Sequence, residues 1–544
     1  MLLTLLDGYV DEPSCLGVPP YISPYVRYAA GAVTAAGHRC QYRTIDQWRH
    51  GASLDGELLL IITGALVPGR YLRGLPVSYK ELRRIAATFK GPIILGGSAA
   101  LYGIGHGGGA TPRAADELMD HTAEKDTDAF IYDFLDGRLQ QRHRTEKEWR
   151  EWARLGAHIV TQHPDFPEPL LAEIETYKGC PRYLTGGCSF CMEPLQGRPM
   201  TRPIDDIVGE IGCLHDLGVR YFRLGCQSCF YSYGSTDIGR HETPRPNVAA
   251  VDKLLKGIRT AAPQLKVLHI DNANPAVIAA YQDEAAEVTR LITRYCTDGN
   301  TAALGLETAD DTVRAANNLN ATPDDTLMAI HLINEIGRKR GENGMPQLLP
   351  GINILYGLLG ESNDTFDKNY AFLQQVMKAG LLLRRINIRQ VVPVRIEPAG
   401  IDAAAFRRFK KKVDETINQP MLQRLVPMGT ILKDVYLEIQ KGKNTFGRQI
   451  GSYPLLVCLP YQEETGGYVD VKITEHGYRS VTGIAYPLNV NTASLGALTA
   501  LPSVGEKRAA RIIAGRPYTD MKQLQMVMDA EFDATEISDW CRFE

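Results

Sequence analysis

Apolar runs of strand length alternate with amphipathic segments of helical period between residues 166 and 425. The extended segment 174–177 opens the series, and the strands predicted after it are 221–225, 266–270, 302–306, 352–358 and 385–392. The helices predicted between them are 204–217, 248–261, 275–294, 323–336 and 365–378. Repeated βα units of this kind predict a parallel sheet curled into a partial (β/α)6 barrel, with chemistry at the carboxyl ends of its strands.

The flanking regions predict three further domains, so the fold class is α/β throughout its larger part. Strands at 2–6, 58–63 and 92–96, with helices at 25–36 and 78–89, predict a Rossmann-like domain over residues 1–165. Strands at 455–459 and 468–474 predict a β-rich domain over residues 428–488, where a resemblance to an RNA-carrying module implies an OB-like β-barrel. A helix, a glycine hairpin and a second helix across 495–514 predict a small α-helical domain over residues 489–544.

Charge and cysteine content narrow the classes of function. The 544 residues carry 60 Lys and Arg against 63 Asp and Glu, so any contact with nucleic acid must be local. No apolar run reaches the roughly 18 residues of a membrane span, and the chain starts without a charged signal region, so we expect a soluble, cytoplasmic protein with no membrane contact. Eleven cysteines in that compartment indicate thiols and metal sites rather than disulfides.

Three of these cysteines, Cys180, Cys188 and Cys191, follow an extended segment within one short stretch. Thiolates are the ligands of iron-sulfur clusters, and three of them leave one iron of a four-iron cube open to a substrate or cofactor. A structural zinc loop and ordinary buried cysteines are the competing interpretations. An open iron suggests chemistry rather than electron storage alone.

The spacing resembles the radical S-adenosylmethionine superfamily, whose usual pattern is Cys-x3-Cys-x-aromatic-Cys. Phe190 fills the aromatic position, and residues 181–187 enlarge the first gap to seven residues. The resemblance implies an enzyme with a [4Fe-4S] cluster, reduced by an electron donor such as ferredoxin or flavodoxin. It also implies that S-adenosylmethionine is cleaved to methionine and a 5′-deoxyadenosyl radical, which abstracts hydrogen from an unactivated carbon.

Residues at the predicted strand ends resemble positions with which the family holds S-adenosylmethionine. Gly225 and Gln227 fall where Gly-Gly-Glu is common, although only the first glycine is kept. Asn272 and Asn274 follow the next strand, and Glu307 ends the one after it. The alternative interpretation of an Asn after a strand is a turn former.

The N-terminal domain resembles the layer that precedes the radical barrel in two groups of relatives. In cobalamin-dependent members it binds cobalamin, and Leu95-Gly96-Gly97-Ser98 resembles a turn that they use. In methylthiotransferases it carries three cysteines for a second cluster. This region has only Cys15 and Cys40 and lacks an Asp-x-His-x-x-Gly motif, so neither assignment is clean. The glycine-rich run 103–109 indicates a mobile loop rather than a phosphate cradle.

A second Cys-x2-Cys pair, Cys226 and Cys229, follows Cys213 by 13 residues. These three are candidates for an auxiliary iron-sulfur cluster or a zinc ion. Since no complete ligand set is visible in the sequence, small residues that fill the barrel mouth are an equal alternative.

Both C-terminal domains resemble modules that contact nucleic acid. The barrel region resembles a TRAM domain, which carries RNA in tRNA-modifying enzymes, and the helical region resembles a helix-hairpin-helix motif. The cations that these resemblances nominate for phosphate contacts are Arg448, Arg479, Lys507, Arg508 and Arg511. Packing against protein is the alternative role of the helical motif.

Together these features favour a radical enzyme that modifies RNA, and tRNA above all, at a carbon of a base, for example by methylthiolation or methylation. The alternative is a cobalamin-dependent methylase or cyclase that acts on a small molecule or a protein. A non-catalytic RNA-binding protein with a structural cluster is the third hypothesis, against which the near-complete barrel motifs argue.

Overall fold

The computed structural model describes residues 1–9, 20–64, 72–105, 108–400 and 402–543. The chain forms two compact units. The first unit is Met1–Lys339, Gln347–Lys410 and Gly451–Tyr453; the second is Arg340–Pro346, Lys411–Ile450 and Pro454–Glu544. The first unit therefore holds both the predicted Rossmann-like region and the predicted radical barrel.

The N-terminal part of the first unit is a parallel sheet in the order β3-β1-β4-β5-β6. Its strands are β1 (Leu2–Asp7), β3 (Arg39–Thr44), β4 (Leu58–Ile62), β5 (Ile93–Gly96) and β6 (His121–Thr122), while β2 (Tyr21–Ile22) joins another sheet. The helices are α1 (Pro24–Ala35), α2 (Ile45–Arg49), α3 (Tyr79–Thr88), α4 (Ser98–Tyr102), α5 (Thr127–Leu135) and α6 (Glu146–Leu155). Leaving β2 aside, the strands stand in the order 2-1-3-4-5, which is the flavodoxin-like doubly wound arrangement.

The central part of the first unit carries six parallel strands of four or more residues and three two-residue strands. Its strands are β7 (Leu171–Glu175), β8 (Tyr177–Lys178), β9 (Met200–Thr201), β10 (Tyr221–Gly225), β11 (Val267–Ile270), β12 (Asn272–Ala273), β13 (Asn300–Glu307), β14 (Leu348–Tyr356) and β15 (Arg385–Gln390). The six longer strands are β7, β10, β11, β13, β14 and β15, whereas the short β8 and β9 pair antiparallel. One sheet runs β11-β10-β7-β2 and the next β12-β13-β14-β15, with only Asp271 between β11 and β12. The strand β2 thus extends the predicted barrel sheet beyond β7.

Helices connect these strands as predicted, except that one predicted helix is divided in two and that the short helix Asp311–Ala316 is additional. They are α7 (Ile204–Leu217), α8 (Val248–Ala261), α9 (Pro275–Ala280), α10 (Gln282–Tyr295), α11 (Asp311–Ala316), α12 (Pro323–Gly337) and α13 (Asn363–Lys378). The single helix predicted over 275–294 is two helices, because Tyr281 leaves the helical region with φ −134° and ψ 63°. The α/β class of this region is confirmed.

The second unit contains a closed five-stranded barrel in the order β16-β17-β18-β20-β19. Its strands are β16 (Ile431–Lys441), β17 (Asn444–Gln449), β18 (Leu456–Leu459), β19 (Tyr468–His476) and β20 (Ser480–Tyr486). The helices α14 (Ala403–Val413) and α15 (Gln419–Leu425) come before it in the chain. Alternating side chains such as Val435, Leu437, Val471 and Ile473 are buried, which is the pattern of strands that line a small barrel.

A small helical module follows within the same unit. It comprises α16 (Leu495–Thr499), α17 (Glu506–Ala514) and α18 (Met521–Val527), with the two-residue strands β21 (Leu488–Asn489) and β22 (Cys541–Arg542) paired in parallel. Lys472 of the barrel lies over the ring of Trp540 at 4.4 Å and forms an ion pair with Asp539. None of the helices in the described ranges is long and apolar enough to cross a membrane.

Candidate metal centre

The three predicted cluster cysteines lie on one loop after β8, beyond the carboxyl end of β7. A 3-10 turn, Pro181–Thr185, fills the enlarged gap between Cys180 and Cys188, and a second turn, Glu193–Gln196, follows Cys191. Gly187 has φ +66°, and a Cβ there would lie 2.2 Å from Cγ of Pro194, so the two turns pack together only because this residue is glycine.

A guanidinium from the far end of the sheet holds this loop. Arg395, which follows β15, donates to the carbonyl oxygens of Gly186 (3.3 Å), Cys188 (3.2 Å) and Cys191. Since β7 is the first and β15 the last of the six strands, Arg395 ties the last strand end to the first loop. The sequence contains no local signal for this contact, because 204 positions separate Arg395 from Cys191.

Two asparagines that follow α11, Asn317 and Asn318, complete the support of the loop. Nδ2 of Asn318 donates to the carbonyl oxygens of Gly187 (2.8 Å) and Thr185 (3.1 Å). The hydroxyl of Ser189 donates to Oδ1 of Asn317 at 2.8 Å. Cys188 and Phe190 also pack against an apolar cluster of Val313, Leu319 and Leu358, so the aromatic position of the motif is a packing position.

Arg182, inside the enlarged gap, points at one of the cysteine sulfurs. Its Nη1 donates to Sγ of Cys188 at 3.1 Å, while Nε donates to Glu242 at 3.1 Å and Nη2 to Oδ1 of Asn318 at 3.2 Å. The side chain is only 4% exposed, so these three partners fix its direction.

Burial raises the pKa of all three thiols, that of Cys188 to about 11. One thiol also raises the pKa of another: Cys188 and Cys180 both add to the rise in the pKa of Cys191. Buried anions that repel one another favour a cation placed among them, and metal binding displaces the thiol protons. Among the residues that the structure describes, no group of three or more His, Cys, Asp or Glu side chains already converges as a ligand set. Three thiols on one loop are the donor chemistry of an iron-sulfur cluster.

Glu307 lies at the carboxyl end of β13 in a backbone conformation that residues other than glycine rarely adopt. Its φ is +62°, the amide of Thr308 donates across it to the carbonyl of Leu306 at 2.8 Å, and the β13–β14 register shifts between Gly305 and Glu307. Burial raises the pKa of the Glu307 carboxyl to about 8, and its charge in turn raises the pKa of Cys188. A half-buried carboxyl on a strained backbone beside the cysteine loop is typical of a functional position.

The other predicted cofactor residues are also at strand ends, with partners within the protein. Oε1 of Gln227 accepts from Thr176 at 3.1 Å and its Nε2 donates to the carbonyl of Leu224 at 3.0 Å. Nδ2 of Asn272 donates to the carbonyl of Gln227 at 3.2 Å.

Two of these positions have evident backbone roles. Oδ1 of Asn274 caps α9 by accepting from the amide of Ala276 at 3.0 Å, which is the turn-forming role considered from the sequence. Gly225 has no room for a side chain, because a Cβ would lie 1.8 Å from Oε1 of Glu173.

The structure does not bring Cys213, Cys226 and Cys229 together. Cys213 is in the second half of α7, which runs back toward the amino end of β10, whereas the other two follow the carboxyl end of that strand. Cys229 is buried, and its sulfur accepts from the amide of Asn274 at 3.2 Å. This arrangement favours the alternative interpretation of Cys226 and Cys229, as small side chains that fill the barrel mouth.

A buried ion network lies beneath the site. Arg223 of β10 pairs with Glu173 of β7 and with Asp271, whose carboxylate accepts from the hydroxyl of Tyr453 at 2.5 Å. The amide of Ser452 donates to Nδ1 of His269 at 2.9 Å. The segment Gly451–Tyr453 therefore belongs to the first unit, although it lies in the chain between β17 and β18.

The N-terminal sheet contributes a loop beside the cysteines. Burial raises the pKa of Tyr102, at the end of α4; the nearby Glu193 and Cys191 raise it further, whereas Arg395 lowers it. The amide of Gly109 donates to the carbonyl of Val391 at 2.9 Å, so the described part of the glycine-rich run packs on the end of β15. Cys15 and residues 106–107 of that run lie outside the described residues.

Most of the candidate RNA contacts are engaged in ion pairs. Arg448 donates to the buried Glu438 through Nε and Nη2, at 2.5 and 2.8 Å. Arg508 binds Asp529 through two nitrogens at 3.0 and 2.6 Å, and Arg511 binds the same carboxylate. Phosphate contacts from these three require the pairs to open, whereas Arg479 and Lys507 are exposed.

Comparison with known proteins gives one group of full-length relatives and several partial ones. No family model matches the chain. An uncharacterised protein of Methanocaldococcus jannaschii, MJ0274, is 46% identical over 88% of this chain and 92% of its own length. The ribosomal protein uS12 methylthiotransferase RimO of Syntrophus aciditrophicus is 27% identical over 38% of this chain and 40% of its own length.

A tRNA-2-methylthio-N(6)-dimethylallyladenosine synthase of Acinetobacter baylyi is 23% identical over 44% of this chain and 46% of its own length. Among solved structures, the radical S-adenosylmethionine methyltransferase TsrM of Kitasatospora setae, with cobalamin and a [4Fe-4S] cluster bound, aligns at 16% identity with a TM-score of 0.45. That alignment covers 72% of this chain and 74% of TsrM.

Proposed function

Because the chain belongs to the family of the Methanocaldococcus jannaschii protein and resembles the methylthiotransferase and the synthase over part of its length, we propose that it is a radical S-adenosylmethionine enzyme that modifies RNA. The proposed substrate is tRNA, altered at a carbon of a base by methylthiolation, methylation or a related transfer. Its reductant would be a small electron-transfer protein of the ferredoxin or flavodoxin type.

The observation that carries this proposal is the cysteine loop itself. Cys180, Cys188 and Cys191 would hold a [4Fe-4S] cluster with one open iron, at the strand edge where such folds do chemistry. When bound with S-adenosylmethionine, this cofactor pair supplies a radical able to abstract hydrogen from an unactivated carbon. The protein's own tasks are to position that radical and to exclude water.

Individual residues divide those tasks among them. Arg395 and Asn318 hold the backbone of the loop through its carbonyl oxygens. Gly225 makes room for the carboxylate of Glu173 at the end of β10. Glu307, with its pKa near 8, keeps a proton at neutral pH and can donate a hydrogen bond to a hydroxyl of S-adenosylmethionine.

Support for RNA comes from the second unit and from one relative. Arg479 lies with the exposed Tyr478 at the tip of the β19–β20 hairpin, a pairing of cation and aromatic ring that suits phosphate and base contacts. Lys507 is exposed in the first turn of α17. The partial relative from Acinetobacter baylyi is named as the synthase of a modified tRNA nucleoside.

The test is mass spectrometry of nucleosides from the tRNA of cells that lack the gene. We expect one modified nucleoside to disappear and to return with the wild-type gene but not with a Cys188→Ala, Cys191→Ala variant. An unchanged nucleoside profile would remove tRNA as the substrate.

A second candidate is a cobalamin-dependent methylase or cyclase that acts on a protein or a small molecule. The observation that favours it is the 2-1-3-4-5 parallel sheet, whose α4 ends at Tyr102 beside the cysteine loop. Ligands of such sheets bind outside the carboxyl ends of the strands. A corrinoid spectrum in protein purified from cobalamin-supplied cells would favour this candidate, and its absence after reconstitution would remove it.

A further inference from the structure

The enlarged gap between Cys180 and Cys188 has a consequence in the structure. Seven residues stand between these cysteines, and they form the 3-10 turn Pro181–Thr185 followed by Gly186 and Gly187. This turn places Arg182 against the loop and directs its guanidinium at Sγ of Cys188, 3.1 Å away. A three-residue gap has no room for such a turn.

Arg182 is fixed in that direction by its other partners. Glu242 accepts from Nε at 3.1 Å and Asn318 accepts from Nη2 at 3.2 Å, so each nitrogen of the guanidinium has its own acceptor. The side chain is almost completely buried, with 4% of it exposed. These three acceptors together keep the guanidinium of Arg182 directed at the Cys188 sulfur.

Hydrogen bonds to the sulfurs and the local net charge are among the factors that set the reduction potential of an iron-sulfur cluster. Reduction adds one negative charge to the cluster. A guanidinium N–H directed at a ligand sulfur stabilises that added charge more than it stabilises the oxidised form, and so raises the potential. Burial strengthens the effect, because less water screens the charge.

We infer that Arg182 is a positioning residue whose hydrogen bond to the Cys188 sulfur raises the reduction potential of the bound cluster. The enlarged gap thereby makes the cluster easier to reduce before S-adenosylmethionine is cleaved. This inference rests on the proposed function, since it takes Cys188 to be a cluster ligand.

The test is a redox titration of the reconstituted full-length protein, without S-adenosylmethionine, followed by the electron paramagnetic resonance signal of the reduced cluster. Arg182→Gln removes both the positive charge and the planar guanidinium with its N–H donors. Arg182→Lys keeps the charge and loses the guanidinium. Arg198→Gln is the matched control, because Arg198 is an exposed arginine seven residues after Cys191. Iron content is measured for each protein.

We expect a more negative midpoint potential in Arg182→Gln, a smaller shift in the same direction in Arg182→Lys, and no shift in Arg198→Gln, with iron content equal in all. Equal potentials in wild type and Arg182→Gln would overturn the inference. So would loss of the cluster from both Arg182 variants alone, since that would make Arg182 a residue needed only to build the loop. Failure of the proposed function would appear in the wild type, as a protein that binds no cluster or does not cleave S-adenosylmethionine.

Discussion

At the scale of single residues, buried titratable groups make the stability of the first unit depend on pH. Burial lowers the pKa of His269 from 6.5 to about 4, and its Nδ1 accepts the amide of Ser452, which requires the neutral ring. Below pH 6.5 the unfolded chain takes up a proton that the folded chain refuses. The contribution of His269 is therefore complete above pH 6.5 and is lost as the pH falls toward 4.

We expect His269 to lower the free energy of unfolding by up to about 3 kcal/mol as the pH falls from 6.5 toward 4. Urea unfolding of wild type and His269→Asn at pH 7.5 and 5 measures it, because Asn offers an oxygen to Ser452 and does not titrate. The wild type should lose more stability between the two pH values than the variant. Equal losses would show that His269 does not carry the effect.

Glu307 permits a second test at this scale. Since its carboxyl is protonated at neutral pH, Glu307→Gln should keep the fold and bind S-adenosylmethionine within a few-fold of wild type. Glu307→Ala removes the hydrogen bond and should weaken binding by roughly tenfold. Calorimetric titration of the reconstituted proteins measures both affinities. An Ala variant that binds as tightly as wild type would remove Glu307 from the cofactor site.

At the scale of elements, the sequence predicts those helices and strands whose limits are set by residues within the segment itself. The helices Ile204–Leu217, Val248–Ala261 and Glu506–Ala514 begin and end at the predicted residues, because their apolar stripes and terminal residues lie within the helix and its caps. The strand Arg39–Thr44 was missed, since it lies at the sheet edge and mixes polar residues into its pattern.

The cysteine loop shows where that reasoning ends. Its three candidate ligand cysteines follow from their spacing, and Glu307 follows from its place at a predicted strand end, but the contacts of Arg395 and Arg182 with the loop depend on tertiary structure alone. The ion pairs of Arg448 and Arg508 were likewise invisible in a count of cations.

Arg395 supplies the prediction at this scale. Arg395→Gln loses most of the hydrogen bonds to the loop carbonyls, so the amides of residues 186–191 should exchange with deuterium roughly tenfold faster or more. Mass spectrometry of peptides from that loop measures the rate, and Arg395→Lys should give an intermediate value. Unchanged exchange in Arg395→Gln would mean that the loop is held by its own turns.

At the scale of the whole molecule, the two units divide chemistry from substrate binding in the proposed account. Deleting residues 428–544 would not test this division cleanly, because it removes Tyr453 from Asp271 in the first unit. Charge reversal avoids that problem. Arg479→Glu with Lys507→Glu should weaken tRNA binding and reduce the slope of log affinity against log salt by about 1.5.

Filter retention of tRNA at several salt concentrations measures both quantities. Arg448→Gln is the control: it breaks a buried pair with Glu438, so it should lower the stability of the β-barrel and leave the salt slope unchanged. If the double reversal binds tRNA as wild type does, the second unit does not deliver RNA through these residues.

The most direct test of the central claim is anaerobic cleavage of S-adenosylmethionine by the reconstituted, chemically reduced protein. The wild type should contain a four-iron cluster and form 5′-deoxyadenosine, and Cys188→Ala with Cys191→Ala should abolish both. A Cys226→Ala, Cys229→Ala variant should retain the wild-type iron content, since the structure places that pair apart from Cys213. Formation of 5′-deoxyadenosine at the wild-type rate by the Cys188 and Cys191 variant would contradict the account.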